Sequence, residues 1–179
     1  MARTKSKLRP ARISIQAFNR QQSRRVHLPL LKQIAAHFVR KLPPSPGNLP
    51  GREKPPLTAR LAVHLINAAE MTCLNEEFLG HAGSTDVITF DYRDEESPDA
   101  LCGEVFISVD DAIAAAPRFR VSWTAEIVRY LAHGLLHLRG YDDHAPADRR
   151  QMKGCENKLL KDLSRSLDCA KLERLNHAA

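Results

Sequence analysis

Three histidines in the C-terminal half of the chain have the type and spacing to bind a metal ion. His133 and His137 lie four residues apart within an apolar run, and positions four apart share one face of an α-helix. Gly140 can end this helix and let the chain turn back, so that His144 approaches the same point. Three neutral imidazoles with one open coordination position are the ligand set of a catalytic zinc site.

The ligand type predicts the metal and the class of reaction. Three imidazoles favour one Zn²⁺ ion, with Ni²⁺ or Co²⁺ as substitutes and Cu²⁺ also tightly bound. An open zinc ion lowers the pKa of a coordinated water to about 7 and polarises carbonyl and phosphoryl oxygens. We therefore expect hydrolysis centred on the metal bound by His133, and the proton donor stays open.

Gly134 separates this motif from the metallopeptidase motif. In His-Glu-x-x-His peptidases, the residue after the first histidine is a glutamate that acts as the general base. Here that residue is a glycine, which weakens a helix by about 1 kcal/mol relative to alanine. The sequence thus disfavours peptide hydrolysis.

The elements around the histidines predict an α+β domain with about four strands and four or five helices. The histidine helix begins after Ser122 as N-cap, and its broad apolar face indicates burial against the sheet. Asn67 stands at the start of the helix predicted at residues 68–78, and Asp110 or Asp111 at the start of the helix predicted to end near Pro117. The predicted strands are residues 13–18, 59–66, 86–92 and 103–109, the last two as an antiparallel hairpin, and the other predicted helices are residues 28–42, 68–78, 110–117 and 147–167.

Composition divides the chain into an arm, one domain and a tail. Residues 1–12 are predicted to be a basic disordered arm, residues 13–168 the domain, and residues 169–179 a frayed tail. Within the domain, the proline-rich residues 43–57 must form a loop. Residues 1–25 contain eight Arg or Lys and no acid, whereas the whole chain has a net charge of +6. Such an arm either binds a polyanion or is simply solvated.

The same composition predicts a cytoplasmic protein. No apolar run approaches the roughly 20 residues of a membrane span, so we expect no membrane partner. The basic N-terminal segment lacks the apolar stretch of a signal peptide. The four cysteines form no Cys-x-x-Cys pair, which indicates free thiols in a reducing compartment.

Three stretches resemble the YbeY family of bacterial endoribonucleases and ribosomal RNA maturation factors. The run 133–142, read as HGLLHLRGYD and followed by a histidine, resembles the family's signature and is specific for it. Residues 74–75 with residues 84–90 (STDVITF), and residues 103–107 (GEVFI), resemble two further family segments. Together the resemblance covers about residues 12–168.

The resemblance implies a metal-dependent endoribonuclease specific for single-stranded RNA. It implies a role in maturing the 3′ end of the small-subunit ribosomal RNA and in ribosome quality control, with ribosomal RNA and the small subunit as partners. The implied metal ligands are His133, His137 and His144. The implied fold is α+β, a small sheet flanked by helices. The nucleophile stays open between zinc hydroxide and the 2′-OH. The sequence does not give the oligomeric state either.

The chain departs from the family pattern at two places. Six residues rather than five separate His137 from His144, because two aspartates precede the latter. An ungapped match places Asp143 at the third ligand position, but we favour His144 because imidazole matches the other two ligands. Leu79 stands where the family commonly has an arginine near the phosphate. His81, two residues on, and Arg139 are the predicted substrate-binding residues.

Three hypotheses of function follow. The first is the zinc-dependent endoribonuclease. The second is a ribosome- or RNA-binding assembly factor whose metal is structural, which Leu79 and the extra aspartate keep open. The third is a metallopeptidase, which the histidine spacing permits and Gly134 disfavours.

Overall fold

Over the residues that the structure describes, four strands form one mixed sheet. They are β1 (Arg12–Asn19), β2 (Thr58–Ile66), β3 (Val87–Asp91) and β4 (Leu101–Ser108). In the computed structural model, which describes residues 12–46, 58–93 and 100–174, the strand order is β1-β2-β4-β3. The strands β1, β2 and β4 are parallel, whereas β3 pairs with β4 in the predicted antiparallel sense.

In the described part of the chain, five α-helices accompany the sheet, which confirms the predicted α+β class. They are α1 (Leu28–Lys41), α2 (Ala68–Leu74), α3 (Val109–Phe119), α4 (Trp123–Leu138) and α5 (Pro146–Leu163). Two predicted N-caps are confirmed: the Asn67 side chain accepts a hydrogen bond from the backbone N–H of Glu70, and Ser122 accepts one from Ala125. Each cap satisfies a backbone donor that the first helical turn leaves without a partner.

The core lies between one face of the sheet and the helices. Helix α4 is central, because it packs against β3, β4, α1, α3 and α5, and most of its residues are buried. Burial of this helix provides much of the apolar contact that stabilises the fold. The core cluster also includes inward-facing residues of β2 and β4: Leu61, Val63, Leu65, Val105 and Ile107.

Two helix boundaries differ from those expected. Helix α3 ends near Pro117 as predicted, at Phe119, where Arg120 adopts the left-handed region at φ 56°; the two differences are its start and the end of α2. The N-cap of α3 is Ser108 rather than an aspartate. Beyond α2, residues Asn75–Leu79 continue as one turn of π-helix.

The segment after α5 is ordered instead of frayed over the residues that the structure describes. Cys169–Leu172 forms a 3-10 turn, and the Leu172 side chain is fully buried in the core. The backbone N–H of His27 donates to the Leu172 carbonyl at 2.9 Å, and Val26 pairs with Glu173 as an antiparallel bridge. These contacts with the start of α1 hold the segment down.

Several predicted features fall outside the described residues. They are residues 1–11 of the basic arm, residues 47–57 of the proline-rich loop, residues 94–99 of the acidic turn and residues 175–179. Arg12, assigned to the arm, is the first residue of β1. Among the described helices, none is both long and apolar enough to span a membrane.

Candidate metal centre

Helix α4 positions His133 and His137 one turn apart, and both side chains are half-buried. Between them, Gly134 lies against the sheet so closely that an added Cβ would stand 2.9 Å from Cγ1 of Val105 and 3.1 Å from Cγ2 of Thr89. A close approach of helix and sheet therefore requires glycine here. A glutamate at this position would point at β3 and β4, away from the imidazoles, so the absence of the peptidase base has a packing reason.

The imidazoles of His133 and His137 face each other through their Nε2 atoms. Their Nε2 atoms are 3.0 Å apart. The Nδ1 atom of His137 lies 3.0 Å from the carbonyl oxygen of Tyr141, and because a carbonyl only accepts, that nitrogen carries the proton. The Nδ1 atom of His133 lies 3.4 Å from a carboxylate oxygen of Glu156, which favours the same tautomer. Both Nε2 lone pairs then point at one place, and a cation between them would remove their repulsion.

Asp143 adds a carboxylate to this pair. Its Oδ2 atom is 3.7 Å from Nε2 of His133. One ligand atom each from His133, His137 and Asp143 lies within 4.8 Å of the others. Two imidazoles and one carboxylate are a ligand set that suits Zn²⁺ and several other divalent ions. The residues present therefore fit a metal ion.

His144 lies outside this cluster. Its side chain is 91% exposed, and its Nε2 atom is 3.6 Å from Oδ1 of Asp142. The same Asp142 oxygen accepts the backbone N–H groups of Asp143 and His144, and the Arg149 guanidinium donates to the carbonyl oxygens of both residues. These bonds hold the loop so that Asp143 faces the histidines. His144 instead groups with Asp142 and Asp143 as a second, more exposed set of candidate ligands.

Glu156 is a buried carboxylate that sequence reasoning missed. It lies on α5, where it contacts His133 and accepts hydrogen bonds from Arg129 at 2.8 Å and Lys153 at 2.6 Å. Burial alone would raise its pKa, but the hydrogen bonds from His133, Lys153 and Arg129 hold the pKa at about 2. One sequence signal could have found it: an acid at a position of the apolar α5 stripe that contains Met152, Leu159 and Leu163.

The environment keeps His137 neutral. Burial lowers its pKa below the ordinary value, and the neighbouring His133 lowers it further, against the opposing effects of the Tyr141 carbonyl, Asp143 and Asp142. A metal ligand must be the neutral imidazole. The fold therefore presents this ring in the form that binds a metal.

A cleft of about 290 Å³ opens beside the cluster. Its wall combines three cations, four acids and several aromatic or apolar side chains with His133. Burial raises the pKa of Tyr130, so the hydroxyl group of this residue stays protonated and can donate a hydrogen bond within the cleft. The lining residues are Asp86, Phe119, Glu126, Arg129, Tyr130, His133, Asp143, Arg149, Met152, Lys153 and Glu156.

The two predicted substrate-binding residues lie elsewhere. Arg139 is only 1% exposed, and its Nε donates to the carbonyl of Pro43 at 3.2 Å while its own carbonyl accepts from Ser45. Its burial argues against the predicted contact with substrate and indicates that it anchors the loop after α1. His81 is exposed after the π-helical turn and does not line the cleft. Leu79, at the end of that turn, is 52% exposed.

Comparison with known proteins finds a family match that spans this part of the chain. The family model described as endoribonuclease YbeY matches residues 16–164, which include every residue of the cluster. A relative from Anaeromyxobacter sp. (strain Fw109-5), named Endoribonuclease YbeY, is 40% identical over 103 residues, or 58% of this chain and 54% of the relative. A relative of the same name from Chlorobium luteolum is 37% identical over 109 residues, or 57% of this chain and 77% of the relative.

Structural comparison supports the fold. The solution structure of a Thermotoga maritima protein has a TM-score of 0.56 and 20% sequence identity, and the match covers 93% of this chain and 99% of that chain.

The matched part of the chain spans between about half and three fifths of the length of several curated relatives, with 54% in Anaeromyxobacter and 61% in Phocaeicola vulgatus. With the family match covering most of the domain, the chain belongs to the endoribonuclease YbeY family.

Proposed function

We propose that this chain is a metal-dependent endoribonuclease that cleaves single-stranded RNA. The observation that carries the proposal is the convergence of His133, His137 and Asp143 at the wall of a cleft that also contains cationic side chains. The relatives named Endoribonuclease YbeY support the reaction class. Single-stranded RNA suits the site because a scissile phosphate has to enter a cleft to reach a half-buried cluster.

The proposed cofactor is one Zn²⁺ ion with His133, His137 and Asp143 as ligands. His144, the third ligand expected from the sequence, is the alternative to Asp143, and it needs a rearrangement of the loop after Gly140 to reach the other two. The ion would supply Lewis-acid chemistry at the scissile phosphate. Support for this ligand set comes from the paired tautomers of the two histidines and from the inward position of Asp143.

The chain's own residues have separate tasks in this proposal. Glu156 and the Tyr141 carbonyl orient the two imidazoles, as outer partners of metal ligands commonly do. Arg129 and Lys153, which Glu156 holds at the cleft wall, counter the charge of the RNA backbone. The Tyr130 hydroxyl can donate a hydrogen bond to a phosphate oxygen.

The proposed biological substrate is the small-subunit ribosomal RNA near its 3′ end, with a role in ribosome quality control. The resemblance of the histidine segment to the family signature supports this substrate. The basic residues before β1 suit a ribosomal partner, since cations that neutralise phosphates release counterions. A cytoplasmic location follows from this substrate.

The direct test is cleavage of end-labelled RNA by protein of known metal content. We expect wild type to cut single-stranded but not duplex RNA, EDTA to stop the reaction, and His133→Ala or His137→Ala to lose both zinc and cleavage while remaining folded by circular dichroism. The matched control is His37→Ala, because His37 lies on α1 and contacts Asp162 rather than the cleft. Zinc-loaded wild type that leaves single-stranded RNA intact, alone and with ribosomes, would refute the proposal.

The second candidate is an RNA-binding assembly factor without catalysis. The exposed Leu79, at the position where the family commonly has an arginine, favours it. This candidate predicts salt-sensitive sedimentation with ribosomes that survives His133→Ala and requires residues 1–25. The nuclease predicts cleavage that the same substitution abolishes, so the pair of assays separates the two.

A further inference from the structure

An exposed aromatic ring stands in the wall of the candidate cleft. Phe119, the last residue of α3, is 57% exposed, yet it lines the same cleft as His133 and Asp143. A phenylalanine in water forgoes the stabilisation of about 1.5–3 kcal/mol that burial gives a large apolar side chain. A ring left open beside a reactive centre is available to a flat, apolar surface of a ligand.

The joint between α3 and α4 fixes the position of this ring. Arg120 ends α3 in the left-handed region, and its backbone N–H donates to the Pro117 carbonyl at 3.2 Å. The N–H of Val121 donates to the Ala116 carbonyl at 3.1 Å, and Ser122 then caps α4. These bonds join α3 directly to α4 and fix the backbone at Phe119 relative to the helix that contains the histidines.

One cation lies beside the ring, and three others share the cleft with it and with four acids. The Arg118 guanidinium carbon is 5.6 Å from the Phe119 ring centroid, and Arg129, Arg149 and Lys153 line the cleft itself. In the same wall, Arg129 forms ion pairs with Glu126 and Glu156, and Lys153 forms one with Glu156. An aromatic platform among cations is the arrangement with which proteins bind single-stranded nucleic acids.

We infer that Phe119 stacks on an unpaired base of the nucleotide next to the scissile phosphate. Arg118, beside the ring, contacts the RNA backbone on the outer side of that nucleotide. The inference rests on the proposed endoribonuclease function and names a residue that selects unpaired RNA at that site. A base within a duplex is already stacked on its neighbours, so it cannot cover the Phe119 ring without being extruded.

The experiment measures RNA binding separately from cleavage. Fluorescence anisotropy with end-labelled single-stranded RNA in EDTA keeps the RNA intact. We expect Phe119→Ala to weaken binding about tenfold, within the range that base–aromatic stacking gives, and Phe119→Trp to bind like wild type. The matched control is Phe78→Ala, because Phe78 is 54% exposed but packs on Phe90 outside the cleft. Equal binding by the Phe119→Ala and Phe78→Ala variants would overturn the inference.

A set of RNAs, each with one abasic nucleotide at a successive position, separates stacking from a purely structural role of Phe119. A structural role would not make RNA affinity depend on one particular base. Wild type should lose about tenfold in affinity at one position beside the cleaved bond, and Phe119→Ala should not respond to that same change. A Phe119→Ala variant that stays as sensitive as wild type would contradict stacking. If wild type cleaves RNA and Phe119→Ala binds RNA normally, this inference is wrong and the proposed nuclease stands. If wild type binds RNA through Phe119 but never cleaves it, only the proposed nuclease function is wrong.

Discussion

At the residue scale, one turn of chain decides which side chain joins His133 and His137 as the third candidate metal ligand. The spacing after His137 allows either Asp143 or His144, and the two differ in charge as well as in geometry. The structure turns Asp143 inward by means of the Asp142 side chain and Arg149. A carboxylate in this position would leave the bound ion less positive than a third imidazole would, which bears on how strongly it polarises a phosphate.

We predict that Asp143→Ala weakens zinc binding by more than about 100-fold, since even outer partners of a metal site are worth about 10–100-fold. His144→Ala should retain zinc within a few-fold of wild type, because its side chain is exposed and apart from the cluster. Competition with a fluorescent zinc chelator measures both affinities. The reverse order, with zinc lost only from the His144 variant, would restore the ligand set expected from the sequence.

At the element scale, the contact between α4 and the sheet places the metal ligands. Gly134 allows the helix to approach β3 and β4, and the flanking histidines are fixed by that approach. Helix α5 completes the site from the other side through Glu156. The two helices and the sheet edge therefore form a single rigid support for the cluster.

Gly134→Ala should destabilise the protein by about 1–3 kcal/mol, because the new methyl group overpacks the contact with Val105 and Thr89. The overpacking outweighs the gain of about 1 kcal/mol in helix stability that alanine has over glycine. The matched control is Gly154→Ala on α5, where an added Cβ meets nothing within 4 Å, so that stability should rise by up to about 1 kcal/mol. Urea denaturation compares the two; a stabilised Gly134 variant would show that the contact is loose.

The outer face of the sheet contains a stacked row of three rings. His64 on β2 lies between Phe18 and Phe106, with ring centroids 5.0 and 4.4 Å away. Burial lowers the pKa of His64, and Arg20 lowers it as well, against the opposing effects of Glu104 and Glu70. The ring is therefore neutral in the folded state at pH 7 and has to be protonated within an apolar stack at lower pH.

The sign of the pH dependence follows from that lowered pKa. The neutral ring is compatible with the fold above the unfolded-state pKa of about 6.5, and stability falls as the pH drops below that value because the unfolded chain takes up the proton first. His64→Phe should remove this part of the dependence. Urea denaturation at pH 7.5 and 5.5 measures it; the same loss of stability in both proteins would assign the acid sensitivity to other groups.

At the scale of the whole molecule, the segment after α5 closes the core. Leu172 is fully buried, and its neighbours pair with the residues that precede α1. The C-terminal end of the described chain thus packs on the segment between β1 and α1. The domain therefore includes residues that composition alone assigned to a tail.

Leu172→Ala should lower the free energy of unfolding by about 2–5 kcal/mol, as cavities in well-packed cores do. The adjacent Lys171→Ala is the control, because the Lys171 side chain is exposed and its loss should change stability by less than about 0.5 kcal/mol. Thermal or urea denaturation measures both. A Leu172 variant as stable as the Lys171 variant would mean that the segment does not belong to the folded unit.

Local patterns in the sequence were sufficient for the elements and for half of the site. The paired positions of His133 and His137 follow from the helical period, and the caps at Asn67 and Ser122 follow from side-chain chemistry within one turn. The strands and their antiparallel pair follow from alternation and β-branched composition. These features depend on residues close together in the chain, and the family signature added the expected class of reaction.

Tertiary structure alone decided the rest, because the remaining contacts join residues far apart in the chain. Glu156 becomes the partner of His133 only when α5 packs on α4, and Arg139 becomes buried only when the loop at Pro43 and Ser45 covers it. The choice of Asp143 over His144 depends on how Arg149 and Asp142 fold the loop after Gly140. The sequence by itself determined a pair of candidate metal ligands on a buried helix, and long-range packing determined which side chains lie beside them.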